Sequence, residues 1–212
     1  MQNSLATISS WVLAIGRTLS RHYLIDPKPV FAGLGIDSAR LSDTSYRVPV
    51  VVMTQLWRQA VALTGDEAFG LEVAQQVSPL TFQGVGFAAM TSRTVQEAVF
   101  RIIQNANAVS DVARLSIQGQ PDELWLRFDL RDDSPDIAEQ AMEAFMASIV
   151  HIARHYLHMT PPLKHVYLKR SLPADIARYE SFFGAPVHFA AECDALATNL
   201  ETLMLMMPGS SG

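Results

Sequence analysis

The strictest constraint on the fold is a change in the spacing of apolar residues near the middle of the chain. In the first half, apolar residues recur at helical intervals, whereas in residues 114–130 they occupy every second position. Leu124, Leu126 and Phe128 alternate with polar or amphipathic residues, and Gly119–Asp122 has the composition of a turn. The pattern predicts an antiparallel hairpin with one apolar face.

Helical spacing dominates the chain before the hairpin. Apolar stripes beginning at Trp11 and Val51 predict two helices, and Gly84 with Gly86 indicates a close approach between apolar segments. Thr94 and Glu97 have the spacing of a capping box, in which each residue bonds the backbone N–H of the other. A further amphipathic helix is therefore expected to begin at Thr94.

The segment after the hairpin predicts alternating helices and strands. Ser134, followed by a proline, is typical of the start of a helix and predicts a long one. Strands are expected at residues 165–170 and 186–190, with a short helix at 174–183 between them. The predicted class is α+β: N-terminal helices followed by a mainly antiparallel four-stranded sheet (β-β-α-β-α-β) covered by helices.

Composition excludes several classes of function. The 212 residues carry a net charge of −5, which argues against direct binding to a nucleic-acid backbone. A single cysteine, Cys193, excludes an internal disulfide bond and is typical of a reducing compartment. The sequence shows neither a signal peptide nor a stretch long enough to span a membrane. A cytoplasmic domain without a membrane partner is expected.

Motifs for catalysis are missing from the sequence. The glycines at Gly84 and Gly86 lack the third glycine of a dinucleotide fingerprint and the lysine of a phosphate loop. No serine stands in a nucleophile elbow, and Cys193 lies between two acidic residues that would raise its pKa rather than activate it. The sequence therefore predicts a binding protein with no catalytic residues and no cofactor.

A row of histidines leaves one alternative open. His151, His155 and His158 share one face of the long predicted helix, a spacing at which imidazoles can chelate a transition metal. The row lies beside the apolar stripe, where a helix meets solvent, and lacks the glutamate of the HExxH motif. The favoured interpretation places no metal here, and the alternative is a metal-dependent sensor or enzyme.

The polar face of the hairpin also permits two interpretations. Arg114, Ser116, Trp125 and Arg127 either form a solvated sheet surface or provide a wall that contacts a ligand. In the second case Trp125 would supply a stacking surface and Arg127 would bind a carboxylate.

A set of short motifs is spread over about residues 17–205. They are Arg47-Val48-Pro49, Leu63-Thr64-Gly65-Asp66, Phe69-Gly70-Leu71, Gly84 to Gly86, Thr94-Val95-Gln96-Glu97-Ala98, Pro162, Tyr179, Phe183 to Val187 with Phe189, and Leu200 to Leu203. In these motifs and their order, the chain resembles the N-terminal, ligand-sensing (arabinose-binding-like) domain of AraC-type transcription regulators.

The resemblance implies a domain that binds a small-molecule effector, forms a homodimer and controls a DNA-binding domain. It assigns residues 1–205 to the effector-binding and dimerisation domain of a bacterial regulator. Residues 206–212 are expected to be a flexible end or a remnant of cloning. The helix-turn-helix domain that usually follows is absent from this sequence, so contact with DNA is expected only through that missing domain. A module for dimerisation alone, with a filled interior, is a further alternative.

Candidate ligand-binding residues follow from a cavity between the sheet and its covering helices. They are Phe82, Phe87, Asn105, Trp125, Arg127 and His188. Asn105 stands where the family often carries one residue of an Arg-Tyr pair, which here is Gln104-Asn105. An effector different from that of close relatives is therefore expected.

Overall fold

The computed structural model of the chain describes residues 5–208, so the predicted tail is described only for residues 206–208. The N-terminal half combines a small two-stranded sheet with four helices. Its elements are β1 (Ala6–Ile8), α1 (Ser10–Arg21), α2 (Lys28–Gly33), β2 (Arg47–Pro49), α3 (Val50–Thr64) and α4 (Phe69–Ala74). The helices predicted from Trp11 and Val51 are confirmed as α1 and α3. Gly65 ends α3 in the left-handed conformation that glycine adopts without strain.

The second half contains the main sheet and its helices. Its elements are α5 (Gln83–Met90), α6 (Val95–Val109), β3 (Ala113–Gln120), β4 (Glu123–Leu130), α7 (Glu139–His155), β5 (Leu163–Tyr167), α8 (Ile176–Phe183), β6 (Val187–His188) and β7 (Asp194–Thr198). Short 3₁₀ helices at Ser38–Arg40, Pro79–Phe82 and Leu200–Met204 connect these elements. Within residues 5–208, no helix combines the length and the apolar character needed to cross a membrane.

The main sheet has five strands in the order β3-β4-β7-β5-β6. The predicted hairpin is confirmed as β3 and β4, and the α+β class is confirmed, but the prediction of four strands is wrong. The missing strand is β7, which lies between β4 and β5 and pairs antiparallel with both. Its sequence, DALAT, shows no alternation because Ala195, Leu196 and Ala197 are all buried. Only β5 and β6 pair in parallel within this sheet.

The start of α6 is as predicted apart from one bond of its cap, whereas the start of α7 differs from the prediction. Thr94 caps α6 by accepting from the Glu97 N–H at 3.2 Å, but the Glu97 carboxylate accepts from Arg93 N–H instead of Thr94 N–H. The long helix α7 begins at Glu139 and not at Ser134. Thr54 of α3 donates to the Asp136 carbonyl, and Arg58 pairs with the Asp136 carboxylate, so contacts with α3 hold this segment outside the helix.

A network of buried and half-buried charged and polar groups joins α4, α7 and α8, and we call it the charged junction (Asp66, Glu67, Glu143, Arg170, Arg178 and Tyr179). Arg170 Nη1 donates to Glu143 Oε1 at 2.7 Å, and both side chains are at most 5% exposed. Burial raises the pKa of Glu143 to about 7 against the opposing charge of Arg170. At the same place a Cβ atom on Gly70 would lie 2.6 Å from the Gln140 carbonyl oxygen, so α4 and α7 pack in direct contact.

Candidate functional site

An apolar cavity of about 180 Å³ lies between α5, α6, α7 and the apolar face of the main sheet. The residues of α5 and α6 that line it are Val85, Gly86, Ala89, Met90, Val95, Ala98, Val99, Ile102, Ala106 and Val109. The other lining residues are Phe82, Ile117, Leu124, Leu126, Phe145, Ile149, Ile152, Ala153, Leu157, Met159, Pro161, Pro162, Leu163, Leu196, Thr198, Thr202, Leu203 and Met207. No lining residue among those described carries a charge.

Helices α5 and α6, which cover the cavity, bury few of their side chains. Helix α5 has the sequence QGVGFAAM and yet buries none of its residues, while α6 buries only Ala98, Ala106 and Val109. Apolar residues such as Val85, Val99 and Ile102 line the cavity and are only half-buried. Apolar side chains left half-buried around an open space are typical of a ligand-binding pocket.

One close backbone contact fixes α5 beside the cavity. A Cβ atom on Gly86 would lie 2.0 Å from the Pro79 carbonyl oxygen, so only glycine fits at this position. A Cβ atom on Gly84 would meet nothing within 4 Å. The close approach predicted for the two glycines is therefore made by Gly86 alone.

Two threonines provide the polar side chains of the cavity. Thr198 Oγ1 donates to the Pro162 carbonyl at 2.8 Å and lies 2.7 Å from Thr202 Oγ1. Thr202 is buried, at 8% exposure, and Thr198 is half-buried. The polar groups are thus concentrated at one place, where the end of β7 meets the following 3₁₀ helix.

The C-terminal segment (residues 199–207) closes one side of the cavity, and its backbone is hydrogen-bonded to the start of α6. Val95 N–H donates to the Leu205 carbonyl at 2.9 Å, and Met207 N–H donates to the Arg93 carbonyl at 2.8 Å. The side chains of Leu203 and Met207 line the cavity, whereas Met204 and Met206 are exposed on the outside. A molecule inside the cavity would therefore contact the C-terminal segment, and the opposite side of that segment is exposed.

The three candidates that precede the hairpin do not share the cavity, although Phe82 and Asn105 both line an outer groove between α5 and α6. Phe82 lines the cavity and is 6% exposed. Phe87 is on α5 but outside the cavity lining, and it is 64% exposed. Asn105 lies on the outer side of α6, where its Nδ2 donates to the Arg101 carbonyl at 2.8 Å. Of these three candidates, the cavity contains Phe82.

The other three candidates are Trp125 and Arg127 of β4 and His188 of β6, and they lie on the opposite face of the main sheet. Leu124 and Leu126 point to the cavity, so Trp125 and Arg127 point away from it. Trp125 packs on Tyr167, with 4.4 Å between ring centroids, and Tyr167 stacks on His188. Arg127 donates to Gln118 and to Asp129, each at 3.0 Å. Within residues 5–208, these side chains form a separate aromatic and polar layer.

The histidine row does not assemble a metal site in the described part of the chain. The His151 and His155 rings stack with 4.3 Å between centroids, and burial lowers the pKa of His151 to about 4. Among residues 5–208, no group of three or more His, Cys, Asp or Glu side chains is arranged to hold a metal ion.

A second hollow of about 290 Å³ lies beside the N-terminus of α7. Its lining includes Asp129, Lys169 and Asp194, together with the Glu143–Arg170 pair. The carboxylates of this hollow named here already have partners, since Asp129 accepts from Arg127, Asp194 accepts from Lys169 N–H at 2.9 Å and Glu143 accepts from Arg170. We therefore regard the apolar cavity as the better candidate site.

Most of the cavity lining is aliphatic, so the polar and aromatic side chains that suggest binding in the sequence do not identify it. The signal was present in two patterns: the apolar stripe of α6, which includes Val99 and Ile102, and the apolar face of β4. The structure shows that these two apolar surfaces face each other across the cavity.

Together, the helices and the sheet form an α+β domain with an apolar cavity between them. A family model described as "Arabinose-binding domain of AraC transcription regulator, N-term" matches residues 25–207. The chain therefore belongs to this family, and it is a ligand-sensing regulatory domain.

The fold also has a counterpart among solved structures. The crystal structure of the transcriptional regulator CdpR from Pseudomonas aeruginosa superposes with a TM-score of 0.65 at 18% sequence identity. The match covers 96% of this chain but 58% of the CdpR chain. No curated protein sequence gives a significant match.

Proposed function

We propose that the domain binds a small-molecule effector in the apolar cavity and transmits its occupancy to a DNA-binding domain. The observation that carries this proposal is the packing of α5, an almost wholly apolar helix that covers an open space and buries none of its residues. A module for dimerisation alone would be expected to have a filled interior. The family to which the chain belongs supports the regulatory role.

The route of transmission that we propose runs through the C-terminal segment. Leu203 and Met207 contact the cavity, and the backbone of this segment is bonded to Arg93 and Val95 at the start of α6. An effector that prefers one arrangement of these walls would shift the equilibrium between arrangements by its difference in affinity.

We also propose that the domain is not an enzyme, that it works in the cytoplasm and that it forms a homodimer. The cavity lining offers no general acid, general base or thiol among the described residues. Exposed apolar side chains on the outer faces of α5 and α6, such as Phe87 and Phe100, are available for contact with a second copy. Sedimentation velocity of the purified chain and of Phe100→Glu tests the dimer.

The central test is a thermal-shift screen of the wild-type domain against a library of defined metabolites. A ligand at about a hundred times its Kd adds about 2.7 kcal/mol of stability. In a domain of this size, that corresponds to a rise in Tm of about 5–10 °C. We expect at least one compound to produce such a shift.

Two variants locate the binding site. Ala89→Leu places three extra carbon atoms in the cavity, whereas Ala88→Leu makes the same change at a neighbouring residue outside its lining. Ala89→Leu should markedly reduce the shift and Ala88→Leu should retain it. A shift of equal size in Ala89→Leu would show that the compound binds elsewhere.

A further inference from the structure

The composition of the cavity walls restricts which effector can bind. We infer that the ligand is a neutral, mainly apolar molecule of about the size of two fused rings, with one hydrogen-bond donor placed against Thr202. This inference rests on the function proposed above and adds the chemical class of the ligand. It follows from the charges, the hydrogen bonds and the volume of the cavity.

The absence of charge in the lining excludes ionised ligands. An ionised carboxylate or ammonium group buried without a partner costs several kcal/mol, and no lining residue among those described could neutralise one. Free amino acids, sugar acids and nucleotides therefore do not fit the interior of the cavity.

A sugar is excluded for a related reason. It carries a hydroxyl group on nearly every carbon, and each buried hydroxyl needs a hydrogen-bond partner. Among the described residues, the polar side chains of the lining are Thr198 and Thr202, and helical backbone groups of α5, α6 and α7 largely bond within their own helices. Arabinose, the sugar in the description of the family, does not match these walls.

The threonine pair determines what kind of polar group the ligand carries. A hydroxyl has one proton to donate, and Thr198 gives its proton to the Pro162 carbonyl. The short contact between the two hydroxyls must then be a bond donated by Thr202. Both protons are thereby used, so the free capacity consists of acceptor lone pairs, above all on Thr202. A ligand N–H or O–H satisfies them.

The volume sets the size of the molecule. An apolar protein cavity of about 150 Å³ stays dry and binds benzene. The cavity here, at about 180 Å³, is somewhat larger. Indole meets the conditions of charge, hydrogen bonding and size, since it is neutral and apolar, has a single N–H donor and consists of two fused rings. It serves as the probe for the test.

The test compares four probes by isothermal titration calorimetry of the wild-type domain. Indole and benzofuran have the same shape, but only indole has a donor; tryptophan adds a zwitterion, and L-arabinose is the sugar. We expect indole to bind about two- to tenfold more tightly than benzofuran, the range expected for one net hydrogen bond. Tryptophan and L-arabinose should give no binding heat.

Three variants complete the test. Ala89→Leu should weaken indole binding by about tenfold or more because it fills the cavity. Ala88→Leu should leave indole binding unchanged. Thr202→Val should remove the preference for indole over benzofuran while retaining binding of both, and circular dichroism melts check that each variant is folded.

The outcomes separate the ligand class from the proposed function. In one outcome, indole does not bind, but tryptophan or L-arabinose does, and Ala89→Leu weakens that binding. The ligand class is then overturned, while the effector cavity stands. If no probe binds, the ligand class is also overturned. If indole binds equally well to Ala89→Leu, its site lies outside the cavity and both proposals fail. A preference that survives Thr202→Val overturns the placement of the donor.

Discussion

The charged junction and the α5–α6 region differ in how closely their side chains are packed. At the junction, the Glu143–Arg170 pair is buried, and α4 and α7 are in direct contact at Gly70. Around the cavity, apolar side chains are only half-buried and α5 buries none of its residues. One region is therefore well packed and fixed, while the other retains space and freedom to rearrange, as a ligand-responsive region requires.

The largest difference should appear when the charge pair at the junction is broken. Arg170→Met leaves Glu143 buried without its cation and should lower the free energy of unfolding by about 3–5 kcal/mol. Urea denaturation measures the change. The matched control, Arg131→Met, breaks an exposed pair with Asp133 and should cost less than about 1 kcal/mol.

A double variant shows whether the loss comes from the unpaired charge. Glu143→Met combined with Arg170→Met removes both charges and should recover much of the stability lost by Arg170→Met alone. Equal destabilisation by Arg170→Met and Arg131→Met would mean that the junction is not the rigid part of the domain.

Enlarging an alanine should have opposite effects in the two regions. Ala144 of α7 is fully buried beside Gly70, so Ala144→Leu overpacks the core and should destabilise the domain by about 1–3 kcal/mol. Ala89→Leu fills free volume and should stabilise it by about 0.5–2 kcal/mol. Urea denaturation of both variants measures this contrast, and a similar loss in both would argue against open space around α5.

The smallest expected effect is a pH dependence at the edge of the charged junction. Burial by itself would raise the pKa of Asp66, but hydrogen bonds from Arg178, Tyr23 and the Ala68 N–H outweigh it and lower that pKa. The unfolded value is about 3.9, so the ionised group adds stability above about pH 4. That contribution is lost as the pH falls through the lower pKa of the folded state.

Thermal melts between pH 2 and pH 7 test the role of Asp66. The Tm of the wild-type domain should fall more steeply below about pH 4 than that of Asp66→Asn, because the variant has no carboxylate to protonate. Asp132→Asn, at an exposed residue, should behave like the wild type. Parallel curves for wild type and Asp66→Asn would contradict the proposed contribution.

The sequence predicted those parts of the fold that depend on local pattern. The alternation in residues 114–130 and the cap at Thr94 were sufficient to predict the hairpin and the start of α6. Strand β7 was missed because alanine has low strand propensity and a strand buried on both faces lacks alternation. The start of α7 depends on contacts of Asp136 with α3, which are distant in sequence.

The site was less predictable than the fold because it is defined by the shape of an apolar cavity and not by particular polar residues. A cavity exists only when the apolar faces of α6 and β4 come together, and neither face contains a residue that suggests binding by itself. The alternation of β4 places Trp125 and Arg127 on the opposite face from Leu124 and Leu126. The roles of Trp125 and Arg127 in ligand binding, like those of Phe87, Asn105 and His188, stay predictions.

Hydrogen–deuterium exchange of the domain, with and without the compound that gives the largest thermal shift, tests the effector cavity most directly. Without ligand, amides of α5 and α6 should exchange faster than those of α7 around Glu143. With ligand, protection should increase in residues 83–109 and 199–207. Protection that increases instead at residues 135–143 and 168–170, beside the second hollow, would contradict the assignment of the effector to the apolar cavity.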